Sequence, residues 1–252
     1  MSTDDDRISV QGAGTGAGTT GSLVLDDVTV SRGAGPVISH VSLTLRPGEV
    51  TALVGPNGAG KTSLIESVSA MTAHSGGSIL LDGQSIDKLS RVARAKRGIV
   101  HIEQGRAVFP SLTVRENLAL TAKSEQEARA ALDHFPELEK RWDSPTGLLS
   151  GGEQQMVVLA RAFAARPRFL LIDEMSLGLA PVVFTRLLPI VSTIAASGVG
   201  VLLVEQFTGL ALGLAGEALV VSGGRVTYQG DAVRLREQPE ILHEAYLGQR
   251  AA

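Results

Sequence analysis

The feature that most constrains the fold of this chain is a phosphate-binding pattern between an apolar stretch and a helical one. The pattern G-x-x-x-x-G-K-[ST] is filled, in order, by Gly55, Pro56, Asn57, Gly58, Ala59, Gly60, Lys61 and Thr62, and Ser63 follows. Residues Glu49–Val54 before it form a mostly apolar run that predicts a buried strand, and Lys61–Met71 predicts a helix. A strand, a glycine turn and a helix N-terminus in this order predict a site for nucleotide phosphates.

The residue types of this loop assign a role to each of its parts. Glycines let backbone amides point inward around phosphate oxygens, and the helix N-terminus adds a positive dipole. Lys61 is expected to contact the β- and γ-phosphates, as both a binding and a catalytic residue, and the Thr62 hydroxyl is expected to bind Mg²⁺. A glycine turn that precedes Lys-Thr by chance is the alternative, and the flanking strand and helix argue against it.

A second predicted strand ends in two carboxylates. Residues Phe169–Ile172 are apolar, and Asp173 and Glu174 follow them directly. The carboxyl ends of parallel strands meet at one edge of a sheet, where doubly wound folds bind ligands. We therefore expect Asp173 to hold Mg²⁺ beside Thr62, and Glu174 to polarise the water that attacks the γ-phosphate. Two solvated acids that end a strand are the alternative.

The sequence contains a second candidate anion site at another helix N-terminus. Ser150 and Glu153 form the S-x-x-E capping box that begins a helix, while Gly151 and Gly152 leave the first amides uncovered. An ordinary helix cap is the alternative. Two such helix N-termini are more than one nucleotide in one subunit needs.

The order of the patterns predicts an α/β fold of the P-loop NTPase class with a mostly parallel sheet. Strand and helix patterns alternate from residue 151 onward, which is typical of parallel strands covered by helices. An antiparallel β portion is expected at the N-terminal side, and an inserted helical subdomain over about residues 109–150. We expect a single domain over residues 22–248 and a disordered glycine-rich tail over residues 1–21.

Composition excludes several classes of function. The 23 Lys and Arg residues are offset by 26 Asp and Glu residues, and the resulting net charge of −3 provides no basic field for nucleic acid. The chain has no cysteine, which excludes disulfides, thiolate zinc sites and a cysteine nucleophile. Its apolar runs are far shorter than the roughly 20 residues of a membrane-spanning helix, and its acidic start does not resemble a secretory signal.

The run Leu149–Gln155, between the phosphate-binding loop and the paired carboxylates, resembles the signature of the ATP-binding cassette (ABC) ATPases. The resemblance covers about residues 22–248 and implies the ABC type of P-loop fold, with ATP and Mg²⁺ as ligands. It implies a head-to-tail dimer, with a second copy or a different ABC ATPase subunit, in which each signature closes over the partner's ATP. Gln104 resembles the glutamine that contacts Mg²⁺ and couples the site to membrane subunits. Ser176–Leu179 resembles the segment that crosses the dimer interface.

Shorter runs resemble one branch of the family, the importers of branched-chain and other hydrophobic amino acids. These runs are Ser176–Pro181, Val204–Gln206 and Gly105–Phe109. In the second, shorter ATPase subunit of those importers, glutamine commonly replaces the switch histidine, which implies a catalytic position for Gln206 beside the γ-phosphate. The branch implies separate permease subunits, an indirect link to a solute-binding protein, and a peripheral location on the cytoplasmic face of the membrane.

Three other functions are alternatives to amino-acid import. An ABC importer ATPase for urea or short amides is the nearest alternative. A soluble ABC ATPase of DNA repair would need long coiled coils, and no sustained heptad pattern lies between the motifs. A GTPase switch would need an Asn-Lys-x-Asp motif, which the sequence does not contain.

Two positions depart from the pattern of the family. Most ABC ATPases place an aromatic residue against adenine where this chain has Ser31–Gly33. The planar guanidinium of Arg32 is the candidate replacement, and a solvated surface arginine is the alternative. Met175 stands where proline usually follows the catalytic glutamate.

Overall fold

The computed structural model describes residues 21–33, 35–105 and 107–248. The predicted glycine-rich tail lies outside the described residues, apart from Gly21. The strands of these ranges are β1 Leu23–Arg32, β2 Gly35–Leu45, β3 Val50–Val54, β4 Gly76–Leu81, β5 Gln84–Ser85, β6 Ile99–Ile102, β7 Phe169–Asp173, β8 Gly200–Val204, β9 Glu217–Ser222 and β10 Arg225–Asp231. The α-helices are α1 Lys61–Val68, α2 Arg91–Lys96, α3 Val114–Ala119, α4 Glu125–Ala131, α5 Gly151–Ala164, α6 Pro181–Ala196, α7 Thr208–Leu214, α8 Ala232–Glu237 and α9 Pro239–Tyr246.

The strands form two sheets. An antiparallel sheet has the order β2-β1-β4-β5, and a six-stranded sheet has the order β10-β9-β3-β8-β7-β6. Strands β9, β3, β8, β7 and β6 pair in parallel, and β10 pairs antiparallel with β9. The predicted fold class is confirmed, with a mostly parallel core sheet and an antiparallel portion at the N-terminal side.

Side chains of the central strands alternate between two hydrophobic clusters, one on each face of the six-stranded sheet. On β7, Leu170 and Ile172 belong to the cluster that contains residues of α3 to α9. Phe169 and Leu171 belong to the other cluster, together with residues of α1 and of the antiparallel sheet. All four are fully buried, and burial of each such side chain stabilises the fold by about 1.5–3 kcal/mol. The six-stranded sheet is therefore the middle layer, and its strands are held firmly on both faces.

The order of the central strands brings three loops to one edge of this sheet. Strand β8 lies between β3 and β7, and all three run in the same direction. Val204, the last residue of β8, is in register with Leu53 of β3 and with Asp173 of β7. Gly55, Glu174 and Glu205 consequently leave the sheet side by side.

Two elements differ from the sequence-based expectation. Helix α1 ends at Val68, because Ala70 adopts a positive φ of 59° and its amide donates to Ser67 O instead of continuing the helix. Helix α8 had not been predicted. Its N-cap is Asp231, whose carboxylate accepts from the Val233 amide, a local signal that the sequence does carry.

The segment between β6 and α5 is built from short helices. Helices α3 and α4 are followed by 3₁₀ turns at Leu132–His134, Pro136–Arg141 and Thr146–Leu148. Asn117, which is fully buried, ties the segment together because its amide donates to the carbonyls of Phe109, Leu112 and Thr113. The assignment of residues 109–150 to a separate subdomain stays a prediction.

Among the helices of the described residues, none combines the length and the apolar character needed to cross a bilayer.

Candidate functional site

The phosphate-binding loop joins β3 to α1 and encloses the side chain of Lys61. Lys61 is the first residue of α1 and is only 4% exposed. Its ammonium donates to Gly55 O at 2.8 Å and to Pro56 O at 3.1 Å, so the loop folds around this cation. Burial lowers the pKa of Lys61, and the charges of Glu174 and Asp173 oppose that shift. The result is a buried positive charge at the floor of the loop.

Two glycines of the loop are required by close backbone contacts. A Cβ at Gly55 would lie 2.1 Å from Val221 O, and one at Gly60 would lie 2.6 Å from Val37 O. Gly60 also has a φ of 99° and is the N-cap of α1. Helix geometry leaves the first amides of α1 without intrahelical partners, so this end of the helix can receive an anion.

Asp173 ends β7 directly below the loop. Its carboxyl is 1% exposed, it accepts a hydrogen bond from the Thr62 side chain, and its Oδ1 has no hydrogen-bond partner among the described residues. Burial raises the pKa of Asp173 to about 6, with a further contribution from the charge of Glu174. A buried oxygen without a partner costs free energy of folding. A cation bound between this oxygen and the Thr62 hydroxyl would remove that cost. The arrangement therefore fits a hard cation such as Mg²⁺, which prefers oxygen ligands and commonly binds one or two carboxylates.

Glu174 is the next residue and is held by two glutamines. Its Oε2 accepts from Gln104 Nε2 at 2.7 Å and from Gln206 Nε2 at 3.3 Å, and Gln206 also donates to Asn57 Oδ1 at 3.0 Å. Glu174 has a positive φ of 46°, a strained conformation that its amide stabilises by donating to Val204 O. The carboxylate is therefore held in position by contacts from the segments that follow β6 and β8.

Most of these groups line one cleft of about 340 Å³, which we call the loop cleft, while the buried Asp173 is not part of its lining. Its lining residues are Val37, Asn57, Gly58, Gly60, Lys61, Thr62, Ser63, Gln104, Glu174 and Gln206. The structure thus brings together residues that lie more than 100 positions apart in the sequence. Sequence reasoning missed Val37, which carries no polar group and is placed there by the packing of β2 against the loop.

Ser150 and its neighbours line a different cavity of about 530 Å³, the signature cavity. Its lining residues are Glu137, Ser150, Gly151, Gly152, Glu153, Met156, Gly178, Leu179, Ala180, Val183 and Arg186, none of which lines the loop cleft. The capping box at the start of α5 is formed as predicted. Glu153 also accepts from Arg141, and the Ser150 amide is the main cause of the lowered pKa of Glu153.

Arg32 lies outside both cavities. Its guanidinium forms an ion pair with Glu66 and donates to Ser63 Oγ at 3.3 Å. The side chain is 47% exposed. The ion pair orients the guanidinium toward α1, and its stacking on a base stays a prediction.

A buried acid beside the cleft was also missed from the sequence. Glu205 follows β8, is fully buried, and accepts from both the amide and the hydroxyl of Ser176. Burial raises the pKa of Glu205 to about 7, against the opposing effect of these hydrogen bonds. The only sequence signal was an acid next to Gln206, and such a position does not reveal whether the side chain points inward.

The sequence of the chain is similar to those of several known proteins. A family model described as "ABC transporter" matches residues 38–176. The chain is 36% identical over 232 residues to the high-affinity branched-chain amino acid transport ATP-binding protein BraG of Pseudomonas aeruginosa, covering 90% of this chain and 99% of that protein. It is 36% identical to the probable branched-chain amino acid transport ATP-binding protein LivF of Archaeoglobus fulgidus, with 81% and 90% covered. It is 34% identical to the lipopolysaccharide export system ATP-binding protein LptB of Escherichia coli, with 84% and 91% covered.

Solved structures show the same fold. A nucleotide-free ATP-binding cassette from an ABC transporter superposes with a TM-score of 0.81 at 22% identity, covering 90% of this chain and 99% of that one. An ATP-binding subunit of an ABC transporter superposes with a TM-score of 0.75 at 28% identity, with 90% and 98% covered.

Gly58 and Gly60, which both have a positive φ, provide a matched test of the packing of the loop. Gly60→Ala should lower the free energy of unfolding by about 3 kcal/mol or more, because the new methyl meets Val37 O at 2.6 Å and the backbone must move. Gly58→Ala should cost only about 1–2 kcal/mol, because φ is 79° but nothing lies within 4 Å. Urea denaturation of both variants measures the difference, and equal losses would show that the contact with β2 does not constrain the loop.

Proposed function

The chain belongs to the ABC transporter family and is an ATP-hydrolysing subunit, and from this premise we propose that it powers an importer of branched-chain or other hydrophobic amino acids. The observation that carries its part in hydrolysis is the loop cleft, where a buried lysine, a helix N-terminus and a fixed carboxylate meet. We further propose a role for each of the main residues in the cleft.

Binding of the phosphates rests on the loop and on Lys61. The amides at the start of α1 and the Lys61 ammonium are the donors that the β- and γ-phosphates require, with Ser63 next to them in the cleft. Thr62, Asp173 and Gln104 would hold Mg²⁺, and the ion would neutralise charge on the phosphate oxygens. The unpaired Oδ1 of Asp173 is the observation that supports this assignment.

Hydrolysis rests on Glu174. Its carboxylate faces the cleft and can accept a proton from water as that water attacks the γ-phosphorus and the bond to the β-phosphate oxygen breaks. Gln104 and Gln206 donate to the same oxygen, Oε2, and therefore hold the carboxylate in place. Gln206 also contacts Asn57 of the loop, so the groups that position the base are tied to the groups that surround the phosphates.

The signature cavity supports a head-to-tail dimer. Helix α5 begins at Gly151 and Gly152, whose amides have no intrahelical acceptors, and Ser150 is its N-cap. These residues line the signature cavity, which has no lining residue in common with the loop cleft of the same chain. A second copy or a different ABC ATPase subunit, turned around, would place its phosphates against this cavity. ATP then favours the closed dimer because contacts come from both chains, and loss of the γ-phosphate removes them.

Glu174→Gln provides the test of the catalytic role. The amide keeps the size of the side chain but cannot take a proton at neutral pH, so ATP turnover should fall about 100-fold or more while ATP affinity changes little. ATP should then hold the variant as a dimer in size-exclusion chromatography. The matched control is Glu217→Gln at the opposite edge of the same sheet, which should turn over normally. Wild-type turnover by Glu174→Gln would remove Glu174 from the mechanism.

A pair of N-cap serines, Ser124 and Ser150, provides the test of the signature cavity. Ser150 and Ser124 each accept a hydrogen bond from the amide of a glutamate three residues later, but only Ser150 lines this cavity. Ser150→Arg should lower ATPase activity about tenfold or more by blocking the partner's phosphates, with ATP binding by the monomer unchanged. Ser124→Arg should leave both unchanged. Lost ATP binding by the Ser150→Arg monomer would contradict the assignment to a partner's nucleotide.

The solute is proposed from the similarity to BraG and LivF, which extends over most of the chain at 36% identity. The proposal includes separate permease subunits, an external solute-binding protein and a place on the cytoplasmic face of the membrane. The 34% identity to LptB favours a second candidate, a subunit of a lipopolysaccharide export system.

Isolation of the tagged chain from its own membranes distinguishes the two candidates. Amino-acid import predicts co-purified permease subunits and ATP turnover that rises when a loaded solute-binding protein is added to the reconstituted complex. Turnover that responds to lipopolysaccharide instead would support the export candidate and overturn the import proposal.

A further inference from the structure

Glu205 is a fully buried carboxyl group that the proposed reaction does not use. It follows Val204, the last residue of β8, and therefore lies between the loop that follows β3 and the segment that follows β7. Burial of a charged group is costly unless hydrogen bonds compensate, and acidic residues are rarely buried completely. The position of Glu205 therefore calls for a physical reason.

The carboxylate satisfies three donors from two loops. Oε1 accepts from the Ser176 amide at 3.1 Å, Oε2 accepts from the Ser176 hydroxyl, and the carboxylate also accepts from the Gln206 amide. Because both oxygens hold the same serine, the orientation of Ser176 is fixed as well as its distance. An apolar residue of similar size would avoid the cost of burial but would leave these donors unpaired.

One side of this arrangement leads into the loop cleft. The Gln206 amide bonds to the Glu205 carboxylate, while the Gln206 side chain donates to Glu174 and to Asn57. A displacement of Glu205 would therefore move the group that positions the proposed catalytic carboxylate.

The other side leads to the signature cavity. Ser176 begins a turn in which its carbonyl accepts from the Leu179 amide at 3.0 Å. Gly178, Leu179 and Ala180 line the signature cavity together with Ser150. A displacement of Ser176 would therefore change the wall of the cavity that faces the partner's nucleotide.

We propose that Glu205 is a positioning residue that couples the loop cleft to the signature cavity of the same chain through Ser176 and Gln206. The proposal rests on the dimer of the proposed function, because only there do the two cavities serve two nucleotides. When the partner's ATP binds against the signature cavity, the change is then transmitted to the Glu174 carboxylate in the loop cleft of the same chain. The two ATP sites of the dimer therefore act cooperatively.

A double-mutant cycle between Glu205 and Ser176 tests the coupling, with the full chain in its reconstituted membrane complex. Ser176→Ala removes one charge-assisted hydrogen bond and should lower kcat about tenfold, with the Hill coefficient for ATP falling toward 1. Glu205→Gln should have a similar effect, because an amide cannot accept at both positions. The double variant should be no slower than the slower single variant. The Kd of the isolated chain for ATP should stay within about twofold for all three.

Thr227→Val is the control for loss of a buried hydroxyl. Thr227 is as buried as Ser176, and its hydroxyl donates to Val220 O, far from both cavities along the chain. This variant should lower the melting temperature but keep the wild-type kcat and Hill coefficient. A merely structural role for Ser176 would make the Ser176→Ala variant behave in the same way.

The outcomes separate the coupling from the function on which it rests. Wild-type kcat and Hill coefficient in Ser176→Ala, or additive effects in the cycle, would overturn the coupling and leave the ATPase function intact. A Hill coefficient of 1 in the wild-type complex would overturn the coupling, whereas a Glu174→Gln variant that stays monomeric with ATP would overturn the dimer on which the coupling rests. A loss confined to ATP affinity would likewise contradict a positioning role.

Discussion

The functional chemistry of this chain depends on the parallel pairing of β8 between β3 and β7. The register places Leu53, Val204 and Asp173 side by side, so the three segments that follow leave the sheet at one level. The phosphate-binding loop, the paired carboxylates and Gln206 then meet although they are far apart in sequence. Because both faces of these strands are buried in hydrophobic clusters, a slip in register would expose one cluster as well as separate the loops.

Burial as well as ion pairing affects the charged groups at the carboxyl ends of these strands. Burial lowers the pKa of Lys61 and raises the pKa of Asp173 to about 6, so it disfavours the charged form of both groups. A phosphate near the Lys61 ammonium and a cation near Asp173 would each stabilise the charged form. A nucleotide bound with its metal ion would therefore offset the cost of burying both charges.

Much of the site follows from local sequence, while the remainder depends on tertiary packing. Two parts of the site are recognisable from short runs of sequence with their flanking residues, namely the loop from Gly55 to Thr62 and the acids Asp173 and Glu174. The sequence was therefore sufficient to propose them. Val37 lies in β2 and Glu205 directly follows β8. The spacing of residues in the sequence does not predict that these two side chains pack near the loop. Arg32 shows the same limit, because its partner Glu66 lies 34 positions away on α1 and competes with the predicted stacking.

The fold follows the same division between local and distant information. Strand and helix patterns with their flanking glycines were sufficient for the fold class, which the sheet order confirms. The end of α1 was placed too late because the positive φ of Ala70 has no signature in an alanine. The short helix α8 was missed although its Asp231 cap is visible, because six residues give too little periodicity to recognise.

The construction of the signature cavity favours the proposed completion of the site by a partner chain. Within the cap of α5, Ser150 and Glu153 already satisfy each other, and Arg141 offsets the charge of Glu153. The groups left for a ligand are the first amides of the helix, at Gly151 and Gly152, which have no intrahelical acceptors. An anion bound there would face donors without meeting an uncompensated carboxylate. Since the loop cleft of the same chain shares none of this lining, the proposed two-fold dimer would complete both sites with a single interface, with each signature cavity facing the other chain's loop.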